Sequence, residues 1–68
     1  MQVTFETIVE EVIENDLLVQ LDNVVVLSTG PAGTYIGRTV ICFRDNDGYV
    51  NYLIAHPWFP LTVTREVK

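Results

Sequence analysis

The chain has 68 residues, 49% of them apolar, a positive mean hydropathy and a formal net charge of −5. A chain of this length forms one domain, residues 1–68, and buries only a modest share of its surface. A single cysteine excludes an internal disulfide, no His/Cys cluster supplies a structural metal, and the acidic balance opposes general phosphate binding.

Self-association is the usual remaining support for so small and apolar a chain, so a homo-oligomer is expected. No apolar run reaches bilayer length, and Met1–Glu6 lacks the basic start and apolar core of a signal peptide. The expectation is a soluble cytoplasmic protein with no membrane partner and no cofactor. The charge is unevenly spread. Glu6, Glu10, Glu11, Glu14, Asp16 and Asp22 all precede the first basic residue, Arg38, and from there four basic residues face three acidic ones. Such a field favours a basic partner, although surface acids also keep an apolar chain soluble.

Residues 3–16 carry two patterns. Phe5, Ile8, Val9, Val12 and Ile13 have the spacing of an amphipathic helix, and Thr7 with Glu10 matches a capping box. Against a helix over 4–15, seven of the eleven residues from Val3 to Ile13 are β-branched. Glu6, Glu10 and Glu14 would also repel at four-residue spacing. Propensity favours a strand with a bulge near Glu10–Glu11, and the helix is the alternative.

Leu17–Leu21 and Val24–Ser28 flank Asp22-Asn23, two residues that tolerate left-handed backbone, and read as a hairpin with Leu21 opposite Val24. Thr29–Thr34 is a loop by its Gly-Pro punctuation. Arg38–Arg44 and Tyr49–His56 form the central hairpin, closed by Asp45-Asn46-Asp47-Gly48. The register that pairs Arg44 with Tyr49 sets Phe43 against Val50 and Ile41 against Tyr52. It makes one face almost wholly apolar and leaves Arg38, Arg44, Tyr49 and Asn51 on the other. Pro57-Trp58-Phe59-Pro60 is a proline-bracketed turn, and Leu61–Lys68 alternates as a strand with one wet face. The predicted fold is mainly β, a five- or six-stranded barrel of antiparallel hairpins whose layout resembles SH3-like or OB-like barrels. An α+β fold with the N-terminal helix on an antiparallel sheet is the alternative.

The chemistry-bearing residues are sparse. His56 is the sole histidine, with no nucleophile near it in sequence, and Cys42 reads as a packed mid-strand thiol. Asp45–Gly48 lacks the distal glutamate of a calcium loop, and Gly30, Gly33 and Gly37 lack the lysine of a phosphate loop. No catalytic or metal-binding residue is assigned. Trp58 and Phe59, large rings on a stiffened turn, suit an interface anchor, and Glu10, Glu11, Glu14 and Asp16 suit a basic protein partner. Arg38, Arg44 and Tyr49 form a second candidate face, for which nucleic acid is disfavoured by the net charge. The leading expectation is a non-enzymatic binding module that self-associates and recognises a protein partner. One alternative is an acidic stoichiometric inhibitor that imitates nucleic acid, of the kind mobile elements use. Another is an enzyme or single-strand binder formed at an oligomer interface.

Overall fold

The computed structural model describes residues 1–68, folded as six antiparallel strands in one sheet. Strand β1 is Gln2–Ile8, β2 Leu17–Leu18, β3 Val24–Pro31, β4 Thr39–Arg44, β5 Val50–Ala55 and β6 Pro60–Glu66; short 3₁₀ turns follow β1 at Val9–Glu11 and β2 at Val19–Leu21. The spatial order is β1-β6-β2-β3-β4-β5. The sheet curls, so that the turn after β1 reaches β4, but it does not close, and β1 and β5 are free edges. The mainly β, antiparallel expectation holds in this open form.

The core forms on the concave side from Val9, Val12, Leu18, Val24, Val26, Ile41, Leu61 and Val63, with Phe5, Phe43, Leu53 and Ala55 packed against them. In β6 the alternation is clean, with Leu61 and Val63 buried and the residues between them facing out. Arg65 occupies the next position on that inward face. Its Nε donates to Asp16 Oδ1 at 2.8 Å and its Nη2 to Oδ2 at 2.7 Å, a bidentate pair with Asp16 only 1% exposed. The guanidinium lies 4.9 Å from the Phe5 ring centroid and also donates to the Glu11 carbonyl. The Ile13 N–H donates to Asp16 Oδ2, and the Asp16 carbonyl accepts the Val26 N–H of β3 at 2.9 Å. The hydrogen bond to Asp16 comes first in raising the Arg65 pKa above its ordinary range, ahead of an opposing desolvation. A raised basic pKa adds stability that is complete below the ordinary arginine pKa and is lost only in strong alkali.

Four local expectations need correction. Thr29, Gly30 and Pro31 do not begin a loop but continue β3, because they pair with Ile41, Val40 and Thr39 of β4. Residues 3–16 do not form one bulged strand, nor does a helix cover 4–15. Pairing with β6 holds residues 2–8 extended, and the break falls at the predicted acidic pair but is a 3₁₀ turn. The first hairpin pairs Leu18, not Leu21, with Val24, because Val19–Leu21 wind into a turn before Asp22 and Asn23, both left-handed at φ 58° and 60°. Gln20 there accepts the Thr62 N–H at 2.8 Å, taking the place of a missing strand neighbour.

The central hairpin shifts by one residue. Arg44 pairs with Val50, Phe43 with Asn51, Cys42 with Tyr52 and Ile41 with Leu53. Asp45 is the cause. Its carbonyl accepts the Gly48 N–H, its N–H donates to Tyr49, and its Oδ1 accepts from Asp47 and Tyr49. With Gly48 at φ 89°, two residues oppose Asp45 in a glycine bulge, which adds one residue to the β5 side of the loop. A one-residue slip moves a strand's side chains to the other face. Ile41 and Phe43 stay inward as expected, but Leu53 and Ala55 face the core in place of Val50, Tyr52 and Ile54.

Two measurements check these assignments. Asp16→Asn breaks a buried ion pair and should cost about 3 kcal/mol in urea unfolding, whereas an exposed acid such as Glu14→Gln should change stability by less than about 0.5 kcal/mol. Cys42 and Tyr52 are directly opposed, so Tyr52→Cys should oxidise to an intramolecular disulfide with no free thiol. Asn51→Cys should not, and the reverse result would restore the unshifted register.

Candidate functional site

Trp58 and Phe59 reach the surface because the chain turns sharply at Pro57–Trp58, with the Phe59 N–H donating to the His56 carbonyl at 3.0 Å. Trp58 is 64% exposed and Phe59 48%. The indole stacks on the His56 imidazole, ring centroids 4.4 Å apart at 24°. A ring held this way loses little side-chain freedom when a partner covers it.

The turn is also tied to the acidic segment. The Val9 N–H donates to the Phe59 carbonyl and the Glu10 N–H to the Pro57 carbonyl, both at 2.9 Å. These bonds prolong the β1–β6 ladder beyond Ile8–Pro60, so exposed Glu10 is carried beside the aromatic turn. The fold therefore joins two segments that are 47 residues apart in sequence (10 and 57).

Beside Phe59 lies an apolar cleft of about 410 Å³, lined by Gln20, Leu21, Leu53, Phe59, Pro60 and Leu61. It opens where β5 fails to meet β6 and the turn after β2, and its size is within the range of small ligand or side-chain pockets. Sequence reading missed it, since its walls come from three separated segments. One signal was available: Leu21 and Phe59 are large apolar residues next to turn formers.

The remaining predicted residues separate. Asp16 is buried against Arg65 and presents no carboxylate to a partner. Glu11 is exposed, close to Thr7 and to Arg65, and Glu14 lines a groove with Asp16, Arg65 and Lys68. Arg38 and Arg44 flank β4 at its two ends, six residues and roughly 20 Å apart on an extended chain, so with Tyr49 they make no single basic patch. Cys42 faces Tyr52, and His56 follows Ala55, which is opposite Thr39. The thiol and imidazole are thus roughly 10 Å or more apart along the sheet and form no dyad. No group of three or more His, Cys, Asp or Glu is placed to hold a metal ion. No helix is long and apolar enough to cross a membrane.

The class these features define is a small open antiparallel β-sheet protein with an aromatic turn, to which the Glu10 backbone is bonded, and an apolar cleft beside it. Protein-family models, curated proteins and solved structures were each compared with the chain, and none matches.

Exposure of Trp58 has a direct consequence. Trp58→Ala should cost less than about 1 kcal/mol in urea unfolding, where a core aromatic would cost 3–5. A loss of that larger size would place the indole in the core.

Proposed function

We propose that the chain is a non-enzymatic recognition module whose partner is a basic protein segment carrying an apolar anchor residue. The observation that carries this reading is the rim formed by Trp58 stacked on His56, Glu10 beside it and the cleft under Phe59. An exposed indole face attracts a lysine or arginine cation, and a nearby carboxylate adds to that attraction. The cleft accepts an aliphatic side chain next to the cation, where burial supplies most of the affinity. The net charge of −5 steers a basic segment toward the protein and repels acidic ones.

Imitation of nucleic acid is less well supported. A mimic needs carboxylates in a row at phosphate-like intervals, but Asp16 is internal, bound to Arg65, and the groove beside Glu14 also holds Arg65 and Lys68. An enzymatic reading has no pair of reacting groups within reach.

A peptide panel tests the proposal, with Trp58 fluorescence as the readout. Peptides that place Arg or Lys beside Leu or Ile should bind, and the same sequences with Glu for the cation should not. Trp58→Ala, followed by calorimetry, should weaken binding about 30-fold, equivalent to about 2 kcal/mol. Glu10→Gln should act mainly on the association rate and reduce its salt dependence. A panel that binds without regard to charge, or binding untouched by Trp58→Ala, would sink the reading.

A further inference from the structure

The one-residue shift in the central hairpin has placed an apolar row on the outside of a free edge strand. Val50, Tyr52 and Ile54 are 51%, 68% and 45% exposed. Tyr35 and Val40 lie beside Tyr52 and Ile54 and line with them a shallow apolar cleft of about 260 Å³. Exposed residues of this size on an edge are unusual, because edge strands normally carry charge, proline or a bulge that prevents further pairing. β5, Val50-Asn51-Tyr52-Leu53-Ile54-Ala55, has no charged residue or proline and keeps an unbroken register with β4. The opposite edge, β1, is protected: it carries Glu6 and starts at an ion pair between the Met1 ammonium and Glu66.

The hydrogen-bond phase of β5 adds a second observation. The Asp45 N–H donates to the Tyr49 carbonyl at 2.8 Å, so Asp45–Tyr49 is a bonded position of the ladder. Bonded and non-bonded pairs alternate in antiparallel strands, which makes Asn51, Leu53 and Ala55 the residues bonded to β4. The N–H and C=O groups of Val50, Tyr52 and Ile54 therefore point to the open edge.

We propose that a second copy of this chain pairs with that edge, β5 antiparallel to β5, about a two-fold axis at Tyr52. In this register Tyr52 meets its own counterpart, Val50 meets Ile54 and Asn51 meets Leu53. The outward backbone groups of Val50, Tyr52 and Ile54 are all bonded, and no like charges face each other. This register sets residue 47 level with residue 57 of the second copy, so the hairpin tip lies at the far end of the partner's β5. On the outer face the facing pairs are apolar, Val50 against Ile54 and Tyr52 against Tyr52, cross-strand neighbours that stabilise an antiparallel ladder. The pairing uses the open side of β5 that also borders the cleft, so it is tested on the free chain with no partner peptide present.

Sedimentation equilibrium and amide hydrogen exchange on the full chain test the pairing. At micromolar concentration the wild type should sediment at twice the chain mass, and exchange at Val50, Tyr52 and Ile54 should slow at least tenfold as the dimer fills. Tyr52→Lys sets like charges across the axis and should sediment as a monomer with unchanged far-UV circular dichroism, while Trp58→Ala should remain dimeric. A wild type that stays monomeric overturns the proposal, and so does a dimer in which those three amides exchange freely. A folded Tyr52→Lys protein that still dimerises overturns it too. If that variant does not fold, the wild-type exchange pattern decides alone.

Discussion

Asp16 and Arg65 are 49 residues apart in sequence, yet their side chains meet in a bidentate pair that ties together most of the fold. Arg65 stands on β6 where an apolar residue would otherwise complete the inward row, against Phe5 of β1 and under the Glu11 carbonyl. Asp16 holds Ile13 with its side chain and Val26 with its backbone. A buried carboxylate with a bidentate partner and a further backbone donor has its charge and hydrogen-bonding needs met, and no buried polar side-chain atom in the protein lacks a partner. Replacing such a pair with apolar groups is often neutral in energy, but removing one member leaves a buried charge. The pair sets where the segment between β1 and β2 runs. That path in turn delivers Val9 and Val12 to the core.

The aromatic rim is a consequence of that path. The turn after β1 bonds through Val9 and Glu10 to the Pro57–Phe59 turn, so the position of Trp58 is coupled to the segment that Asp16 anchors. Sheet curvature and incomplete closure leave the apolar cleft next to it. A closed barrel of the same strands would have filled that space with side chains. Openness has the opposite effect at β5, where it exposes unpaired backbone and an apolar row. Both surfaces arise because six short strands do not complete a cylinder.

Much of the fold was legible in the residues. The β-branched run at the N-terminus, the Asp22-Asn23 and Asp45–Gly48 turns, the proline-bracketed aromatic turn and the alternation of Leu61 and Val63 all mark elements that form. Register was less legible. In the central hairpin either face of Val50–Ala55 presents an apolar set, Val50, Tyr52 and Ile54 or Leu53 and Ala55, so hydrophobic pattern alone does not distinguish them. The decision rests on how Asp45 bonds within its own turn. The first hairpin slipped for a related reason: Val19 and Leu21 fit a strand as well as a turn, and Gln20's bond to Thr62 belongs to a contact 42 residues away.

Local chemistry by itself determined that the chain is mainly β and antiparallel, with an acidic first half and two rings on a proline-bracketed turn. Backbone sterics and side-chain alternation act over a few residues, so they can be read without knowing the neighbours. Only the tertiary structure decided which acid is internal, which face of β5 meets solvent, and that Glu10 bonds to the turn that carries Trp58. Each of these depends on segments distant in the chain meeting at one place, where burial and hydrogen bonding outweigh local preference.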